Sequence, residues 1–397
     1  HGTNRRQRQM CIRDSCWRLG GENSVPLQYW HRVGTAGRAF DCTFTLWLVK
    51  IGAEPKRPSL PVRESCNSRH WTLLVLTKDI GLIVSRNKRQ ILGDIIKIAL
   101  IAFSLFLFEL AYGFLQGPSL VFSPDAKVTG TFPEKWIHGS KSAMDNDDPP
   151  VQVHAYNDHT FILRENKAIN YEGAFMYLLF GNQTAILIDQ GSTSSPDLFP
   201  LREVVDGIIL EWEKNNRQEV KLIVANSHLH GDHFAAWNQF VDRPNTLMVG
   251  LTHEEMMNFW GFENYPEEKI TFDLGGREFL VTGAPGHQGS EIAIYDKWTD
   301  LLYTGDMFYR GRLYLEDWDK WKDSIRRLKK IASENPISAL INNHIEMTAT
   351  PKIDYPIGTT WQPNEPPMQM TLDMLEVAYK ATYEIEGPGI YKYDHFL

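Results

Sequence analysis

The residues best suited to chemistry lie in one short segment. Residues 227–233 read Ser-His-Leu-His-Gly-Asp-His and follow an apolar run at residues 222–225. Three imidazoles and a carboxylate at this spacing cannot all face one side of a helix or strand, but on a tight loop they can converge. Neutral imidazole and carboxylate form a ligand set that suits zinc. The segment therefore predicts a metal site at a strand end, with these candidate ligands: His228, His230, Asp232 and His233.

Charge is divided unevenly along the 397 residues. Residues 1–90 contain 16 Lys and Arg against 6 Asp and Glu, whereas residues 91–397 contain 25 against 43. The acidic body argues against a nucleic-acid partner, because phosphate binding needs clustered Lys and Arg. All four cysteines also lie within residues 1–90. A metal bound by the body must therefore be held by His, Asp or Glu.

The first 90 residues differ in pattern from the rest. Residues 16–84 lack sustained helical or strand periodicity, and residues 10–15 (MCIRDS) resemble a translated sequencing adapter. We interpret residues 1–90 as non-native sequence or a disordered basic leader and exclude them from fold reasoning. A disulfide frame built from the four cysteines is a further alternative, although their flanks show no regular spacing.

Residues 91–116 have the composition of an export segment. Three basic residues between positions 86 and 89 precede an uncharged apolar run at residues 98–108, and small residues follow at Ala111 and Gly113. This order is typical of a signal peptide, and the run is shorter than the ~20 residues that span a bilayer as a helix. We expect export to the periplasm or secretion. An uncleaved N-terminal membrane anchor is the alternative.

From residue 151 onward, short apolar stretches alternate with helical ones. Prolines and acidic residues predict a linker with little regular structure over residues 117–150. Strands are predicted at residues 160–164, 175–180, 185–189, 222–227, 246–250, 279–282, 291–295, 301–304 and 339–342. Helices are predicted at residues 199–215, 252–260, 316–334 and 370–384. Such an order suits packed sheets beneath outer helices, so residues 151–397 are expected to form one α/β (α+β) domain.

Four further motifs accompany the histidine-rich loop in a fixed order. Residues 186–191 read ILIDQG, residues 285–287 PGH, residues 303–306 YTGD and residues 343–344 NH. Together the five motifs resemble those of the metallo-β-lactamase superfamily over residues 160–350. The resemblance implies that family's αββα sandwich, in which two mixed β-sheets pack face to face with helices outside. It also implies a dinuclear zinc hydrolase.

The resemblance implies a division of the ligands between two metals. The first metal would be held by His228, His230 and His287, and the second by Asp232, His233 and His344. Asp306 would bridge them, because two nearby cations repel unless anions lie between them. The expected cofactors are two Zn²⁺ ions, with Mn, Fe or Co as other candidates, and zinc-bound hydroxide is the expected nucleophile. Asp189 is predicted to orient the loop and one imidazole by hydrogen bonding.

Differences between this sequence and the patterns of individual subfamilies reduce the number of candidate substrate classes. A body without cysteine excludes the β-lactamase subclasses that use a thiolate ligand. The TGD motif resembles those of glyoxalase II and the acyl-homoserine-lactone lactonases, but few basic residues follow His344, which disfavours a glutathione substrate. Tyr309 matches a position at which the lactonases place a tyrosine that donates to the substrate carbonyl. Asp232 and Tyr309 are therefore the predicted catalytic residues, with aromatic packing as the alternative for Tyr309.

Aromatic side chains predict an apolar wall for an acyl chain, with core packing as the alternative reading. The predicted wall consists of Phe175, Tyr177, Trp237 and Trp260. The predicted function is hydrolysis of an ester, lactone, thioester or β-lactam bond in a small-molecule substrate. A β-lactamase-like antibiotic-hydrolysing enzyme, an iron-dependent oxidoreductase of the same superfamily and a non-catalytic metal-stabilised binding protein remain as alternatives.

Overall fold

Two mixed β-sheets form the body of the protein in a computed structural model, which describes residues 88–115, 127–387 and 389–397. All of these residues belong to one unit of the chain, Lys88–Leu397. The interpretation of residues 1–87 as a leader lies outside the described residues.

The first sheet contains six strands that follow one another in chain order. They are β1 (Val151–Asn157), β2 (Thr160–Glu165), β3 (Phe175–Phe180), β4 (Thr184–Ile188), β5 (Lys221–Ala225) and β6 (Thr246–Met248). Strands β1 to β4 pair antiparallel, whereas β4, β5 and β6 run parallel. Parallel neighbours end at the same edge of a sheet, so the loops that follow β4 and β5 emerge side by side.

The second sheet contains five strands in the order β11-β10-β9-β8-β7. They are β7 (Lys269–Asp273), β8 (Glu278–Gly283), β9 (Ile292–Asp296), β10 (Leu301–Tyr303) and β11 (Ala339–Ile341). Only β10 and β11 pair in parallel within this described sheet, and the other pairs are antiparallel. The loops after β10 and β11 therefore also emerge at one common edge.

The helices of the described ranges are α1 (Lys88–Leu115), α2 (Leu201–Asn216), α3 (Gly231–Phe234), α4 (His253–Trp260), α5 (Trp318–Glu334) and α6 (Leu372–Glu384). Of these, α2 covers the outer face of the first sheet, and α5 and α6 cover the outer face of the second. Buried residues of α2 such as Val205 pack with Met176 of β3 on the outer face of the first sheet. Buried residues of α5 and α6, including Ile325 and Leu375, pack with Leu302 of β10 on the second sheet.

The two sheets pack against each other through the side chains on their inner faces. Ile162 and Tyr177 from the first sheet and Val281 and Ile294 from the second belong to one buried cluster. Because side chains alternate along a strand, each sheet supplies one face to this central layer and the other face to its helices. The expected αββα sandwich of two mixed sheets is confirmed.

The segment before β1 packs against this body. Its described part, residues 127–150, contains little regular structure. Trp136, however, is buried in the central cluster, and its ring meets that of Phe175 edge to face at 4.9 Å between centroids. The segment around Trp136 therefore forms part of the core as well as connecting to β1.

Helix α1 occupies the predicted export segment. Apolar side chains are exposed along residues 95–106, among them Ile95, Leu100 and Phe106. None of the helices in the described ranges combines the length and the apolar character needed to cross a membrane. Export through residues 91–116 stays a prediction.

Candidate metal centre

Asp189 organises the loops at the edge of the first sheet. It follows β4 directly in a left-handed backbone conformation (φ 66°) and is fully buried. Its carboxylate accepts hydrogen bonds from the backbone N–H and the hydroxyl of Ser227, both at 2.7 Å. The same carboxylate lies 3.2 Å from Nδ1 of His233 and accepts from Nδ2 of Asn343 at 2.7 Å. Asp189 thus joins the loops that follow β4, β5 and β11.

Four imidazoles are held through Nδ1 by hydrogen-bond acceptors. The Nδ1 atom of His228 lies 3.0 Å from the Ser227 hydroxyl oxygen, and that of His287 lies 2.7 Å from the Tyr314 carbonyl oxygen. The Nδ1 of His344 lies 3.3 Å from the Glu172 carbonyl oxygen, and His233 uses Asp189 as described above. An acceptor at Nδ1 places the imidazole proton there and leaves the Nε2 lone pair free to bind a metal.

The first ligand cluster contains three histidines, His228, His230 and His287. Their ligand atoms lie within 4.8 Å of one another. Nδ1 of His230 lies 2.9 Å from Nε2 of His287. Nε2 of His228 is buried and has no hydrogen-bond partner among the residues that the structure describes. A buried acceptor without a partner is costly, and a metal ion would satisfy it.

The second cluster contains two histidines and two aspartates, Asp232, His233, Asp306 and His344. Oδ2 of Asp306 lies 3.3 Å from Nε2 of both His233 and His344. The same oxygen lies 3.8 Å from Nε2 of His287 in the first cluster. Oδ1 of Asp306 is buried without a hydrogen-bond partner in the described part of the chain. The Asp306 carboxylate therefore lies between the two clusters.

The charges around the second cluster favour a cation. Although burial opposes the shift, the carboxylates of Asp306 and Asp232 hold the pKa of His233 well above its usual value. The pKa of His344 is raised in the same way, against the effect of burial, by Asp306 and Asp232. Burial and the neighbouring His233 instead lower the pKa of His228 well below 6.5. The first cluster thus offers neutral nitrogen, and the carboxylates of the second stabilise positive charge beside them, whether on an imidazole or on a bound metal ion.

Sequence reasoning missed Glu291, which fixes the loop that carries Asp306. Its buried Oε1 accepts hydrogen bonds from the backbone N–H groups of Asp306 and Met307, both at 2.7 Å. A Cβ atom on Gly305, whose φ is 57°, would lie 2.6 Å from this oxygen. Burial and the neighbouring Asp306 raise the pKa of Glu291 well above its usual value. A single Glu beside Ser290 gave no sequence signal, because its role depends on a contact with residues 15 and 16 positions away.

A cavity of about 330 Å³ opens onto both clusters. Its wall includes ligand side chains together with other polar, aromatic and aliphatic side chains, namely Tyr171, Glu172, Tyr309, Tyr314, Glu346 and Ile357. Of these, only Tyr309 was singled out from the sequence. The others lie on irregular segments whose sequence carries no periodic signal.

Tyr309 lines the cavity but its hydroxyl has other partners. The hydroxyl donates to the Arg312 carbonyl oxygen at 2.5 Å and lies 3.1 Å from Oε2 of Glu346. A phenol has one proton to donate. In this arrangement, donation to a substrate carbonyl would require Tyr309 to leave the Arg312 carbonyl.

The predicted apolar wall is wrong, because none of its four aromatic residues lines the cavity: three are buried between the sheets and Trp237 packs on the outer cluster. Phe175, Tyr177 and Trp260 belong to the buried cluster between the sheets. The Tyr177 hydroxyl donates to the Asn342 carbonyl, and Trp237 packs against the outer cluster while its Nε1 donates to the Val249 carbonyl at 3.1 Å. Strand β3 lies inside the first sheet with both faces covered, so its aromatic residues serve the core.

Solved structures that are similar to this chain include metallo-β-lactamases. One from Pontibacter korlensis is 16% identical, with a TM-score of 0.39 over 59% of this chain and 100% of that chain. Another from Hirschia baltica is 12% identical, with a TM-score of 0.38 over 49% of this chain and 91% of that chain.

The sequence is also similar to one curated protein and to one family model. A Streptococcus pyogenes serotype M6 protein, described as a probable metallo-hydrolase, is 25% identical over 38% of this chain and 69% of its own length. Residues 170–336 match the family model of the metallo-β-lactamase superfamily, a range that includes every motif except Asn343-His344. Over residues 170–336, the chain is therefore similar to proteins of the metallo-β-lactamase superfamily.

Proposed function

We propose that this protein is a metal-dependent hydrolase that cleaves an ester, lactone, thioester or β-lactam bond in a small molecule. The observation that carries the proposal is the pair of neighbouring ligand clusters at the floor of one cavity. The superfamily match and the resemblance to a probable metallo-hydrolase support the same reaction class.

The donor set fits two divalent cations, with zinc as the best match. His228, His230 and His287 would hold one ion, and Asp232, His233 and His344 the other. Asp306 would bridge, since its Oδ2 lies near both clusters and its Oδ1 has no partner in the described residues. Imidazole and carboxylate suit zinc, and the bound ions would satisfy the buried Nε2 of His228 and Oδ1 of Asp306.

When bound, such ions polarise a carbonyl and lower the pKa of water towards ~7, so that water can attack at neutral pH. The protein's own groups prepare the reaction. Acceptors at four Nδ1 atoms fix the imidazole tautomers, and Asp189 fixes the loop that carries His228 and His233. Asp232, whose side chain is about a third exposed, can accept a proton and return it to the leaving group.

Metal analysis combined with a substrate panel tests the proposal. The full chain would be stripped with a chelator, reconstituted with Zn²⁺, Mn²⁺ or Fe²⁺, and assayed with lactones, thioesters, aryl esters and a cephalosporin. We expect about two ions per chain and turnover that the chelator abolishes. Protein that binds no metal, or binds it without hydrolysing any substrate in the panel, would contradict the proposal. One iron ion with oxygen consumption would favour the oxidoreductase alternative.

Single substitutions separate the ligands from other histidines. His230→Ala and Asp306→Ala should each lower kcat/KM by more than about 100-fold, because even partners of metal ligands cost 10- to 100-fold. His154→Ala is the matched control, since His154 lies on β1 and its Nε2 contacts the Thr131 carbonyl oxygen. Wild-type rates in either ligand variant would contradict the assignment.

A further inference from the structure

The loop between β2 and β3 folds around the side chain of Lys167. This lysine is only 1% exposed, although an ammonium group is strongly hydrated in water. Gly173 closes the loop with φ 53°, and a Cβ atom there would lie 2.6 Å from Cγ of Lys167. The loop backbone therefore contacts the lysine stem directly, and the ammonium group lies inside the protein.

The Lys167 ammonium donates to two carbonyl oxygens of the same loop. Its Nζ lies 2.7 Å from the Tyr171 oxygen and 3.3 Å from the Glu172 oxygen, and both acceptors are neutral. Burial and then the Arg164 guanidinium lower the pKa of Lys167 to about 8, whereas Glu365 and Glu172 act in the opposite direction. A buried charge with neutral partners costs free energy that an apolar side chain of similar length would not. Packing alone therefore does not account for a lysine here.

One of these two carbonyls also holds a predicted metal ligand. The Glu172 carbonyl oxygen lies 3.3 Å from Nδ1 of His344, and a carbonyl has two lone pairs, so it can accept from the imidazole and the ammonium together. Just beyond the loop, the Phe175 N–H donates to the Asn343 carbonyl at 2.8 Å. The loop and the segment that carries His344 are thus joined side by side, with the Lys167 ammonium on the far side of the shared carbonyl.

We propose that Lys167 is a positioning residue for the metal centre. Its ammonium holds the Glu172 carbonyl towards Nδ1 of His344, which keeps Nε2 of that imidazole facing Asp306 at 3.3 Å. Groups that orient a ligand imidazole change metal affinity by 10- to 100-fold. The inference rests on the proposed metal-dependent function.

The effect is confined to one of the two ligand clusters. In the described residues, Nδ1 of His228 contacts the Ser227 hydroxyl, Nδ1 of His287 contacts the Tyr314 carbonyl, and Nδ1 of His230 contacts His287. The first cluster is thus held by groups outside the Lys167 loop. Loss of the ammonium should weaken the ion at the second cluster and leave the ion at the first cluster unchanged.

A metal titration tests this selectivity. In the full chain, Lys167→Met removes the donors and keeps a long apolar side chain. Calorimetry with Co²⁺ on the metal-free proteins should show one ion bound as in the wild type and the other about 10- to 100-fold more weakly. Lys297→Met is the surface control, because Lys297 is exposed and its Nζ donates to Glu278 at 2.7 Å. Its two affinities should equal those of the wild type.

Proton NMR of the Co²⁺-loaded proteins identifies the affected imidazole. Exchangeable N–H protons of ligand histidines give strongly shifted signals, and the signal of His344 is assigned by its loss in His344→Asn. In Lys167→Met at saturating Co²⁺, this signal should shift or exchange faster with water. The signals of His228 and His287 should stay as in the wild type. An unchanged His344 signal would overturn the inference.

Two further variants separate positioning from general stability. Lys167→Gln keeps N–H donors without the charge, so it should recover part of the affinity and of the His344 signal. Asn166→Ala removes hydrogen bonds of the same loop, to the Asp148 carbonyl and from the Ala168 N–H, without touching the Glu172 carbonyl. It should lower the free energy of unfolding but leave both affinities unchanged. If Lys167→Met does not fold, Lys167→Gln should still weaken one ion selectively compared with Asn166→Ala.

These readouts do not depend on turnover. Equal weakening of both ions in the Lys167 variants, wild-type affinities in them, or the same selective loss in Asn166→Ala would overturn the positioning role even if the enzyme hydrolyses a substrate. Selective weakening in a protein that hydrolyses no substrate would uphold the positioning role while the hydrolase proposal fails. A wild-type chain that binds no metal would overturn both.

Discussion

Asp189 shows how one buried side chain can define a metal centre without touching the metal. Its two oxygens accept from Ser227, contact His233 and accept from Asn343. All of these partners present hydrogens to the carboxylate. The arrangement requires an acceptor-only group at this position, which an ionised carboxylate supplies and an amide does not.

Asp189→Asn should therefore weaken metal binding about 10- to 100-fold, as expected for loss of a partner of a ligand imidazole. The asparagine amide would point its N–H hydrogens at one or more of the N–H and O–H donors that face the Asp189 carboxylate. Competition with a chromogenic chelator measures the affinity, and Asp197→Asn, at an exposed position, is the control. Unchanged affinity in Asp189→Asn would show that His233 is oriented without this carboxylate.

Glu291 provides a second prediction at the scale of one residue. Glu291→Ala would leave the backbone N–H groups of Asp306 and Met307 unpaired in the interior, which should lower the free energy of unfolding by about 2–4 kcal/mol. Glu291→Gln keeps an acceptor oxygen and resembles the protonated acid that the raised pKa favours, so its loss should be smaller. Urea denaturation of the metal-free proteins compares the two. Equal losses would contradict this role.

The sequence predicted the ligands because each lies in a short motif, and the structure brings these motifs together. It did not predict Glu291 or Glu172, because their roles arise from contacts between distant segments. It also assigned the aromatic residues of β3 to a pocket. Phe175 and Tyr177 are equally typical of a buried strand and of a pocket wall, and only the position of β3 inside a sheet distinguishes the two.

At the scale of elements, the predicted strands and helices match the observed ones within a few residues. The two missed strands, β1 and β7, are both sheet edges. Every second residue of β7 is exposed, and β1 alternates apolar with polar residues, so neither has the continuous apolar run that identifies a central strand. Each of them pairs with the next strand along the chain in a hairpin, β1 with β2 and β7 with β8.

Helix α5 positions the loop that carries His287. The Ser324 hydroxyl donates to the Pro285 carbonyl at 2.6 Å, and the Asp317 N–H donates to the Gly286 carbonyl at 3.0 Å. Gly286 has φ 146°, and a Cβ atom there would lie 2.5 Å from Cα of Trp321. Backbone atoms of a packed helix cannot yield locally, so this contact requires glycine.

Gly286→Ala should consequently destabilise the protein by at least about 2 kcal/mol and weaken metal binding, because the loop or the helix must move. Gly289→Ala in the same loop is the matched control, since a Cβ atom there meets nothing within 4 Å. Thermal unfolding and metal titration of both variants check the prediction. Similar behaviour of the two variants would contradict the proposed close contact.

The β1–β2 hairpin packs on α2 through a histidine whose protonation is suppressed. Burial and then the Arg277 guanidinium lower the pKa of His159 to about 4, and its Nδ1 accepts from Trp212 Nε1 at 2.9 Å. In the unfolded chain this imidazole binds its proton near pH 6.5, whereas in the folded protein it does so only near pH 4. The contribution of the neutral imidazole to the free energy of unfolding is therefore fully present above pH 6.5 and is lost as pH falls towards 4.

His159→Gln, which retains an acceptor but does not titrate, should reduce the loss of stability between pH 7 and pH 4. The expected difference from the wild type is roughly 1 kcal/mol, after allowance for the partial exposure of the ring. Denaturant unfolding at several pH values measures it. An identical pH dependence in both proteins would show that this histidine does not contribute.

At the scale of the whole molecule, each ligand cluster draws residues from both sheets. His228 and His233 follow β5 in the first sheet, whereas Asp306 and His344 follow β10 and β11 in the second. A bound metal should therefore resist separation of the two sheets. Zinc at about 100 times its Kd should add roughly 2.7 kcal/mol per site to the free energy of unfolding.

Thermal unfolding with and without chelator measures this effect as a rise in Tm of several degrees on zinc addition. Asp306→Ala, which removes the shared carboxylate, should show a much smaller rise. A wild-type Tm that does not respond to zinc would indicate that the ligand clusters do not hold metal in the folded protein.

The division of ligands between the sheets also determines what an incomplete chain can do. A fragment that ends after β6 contains two members of each cluster, His228 with His230 and Asp232 with His233. The complementary fragment supplies the remaining members, His287, Asp306 and His344. Neither fragment contains all members of either ligand cluster. Premature termination or a proteolytic cut with loss of one piece should therefore remove the proposed hydrolase activity, which would make that activity a measure of the integrity of the whole domain.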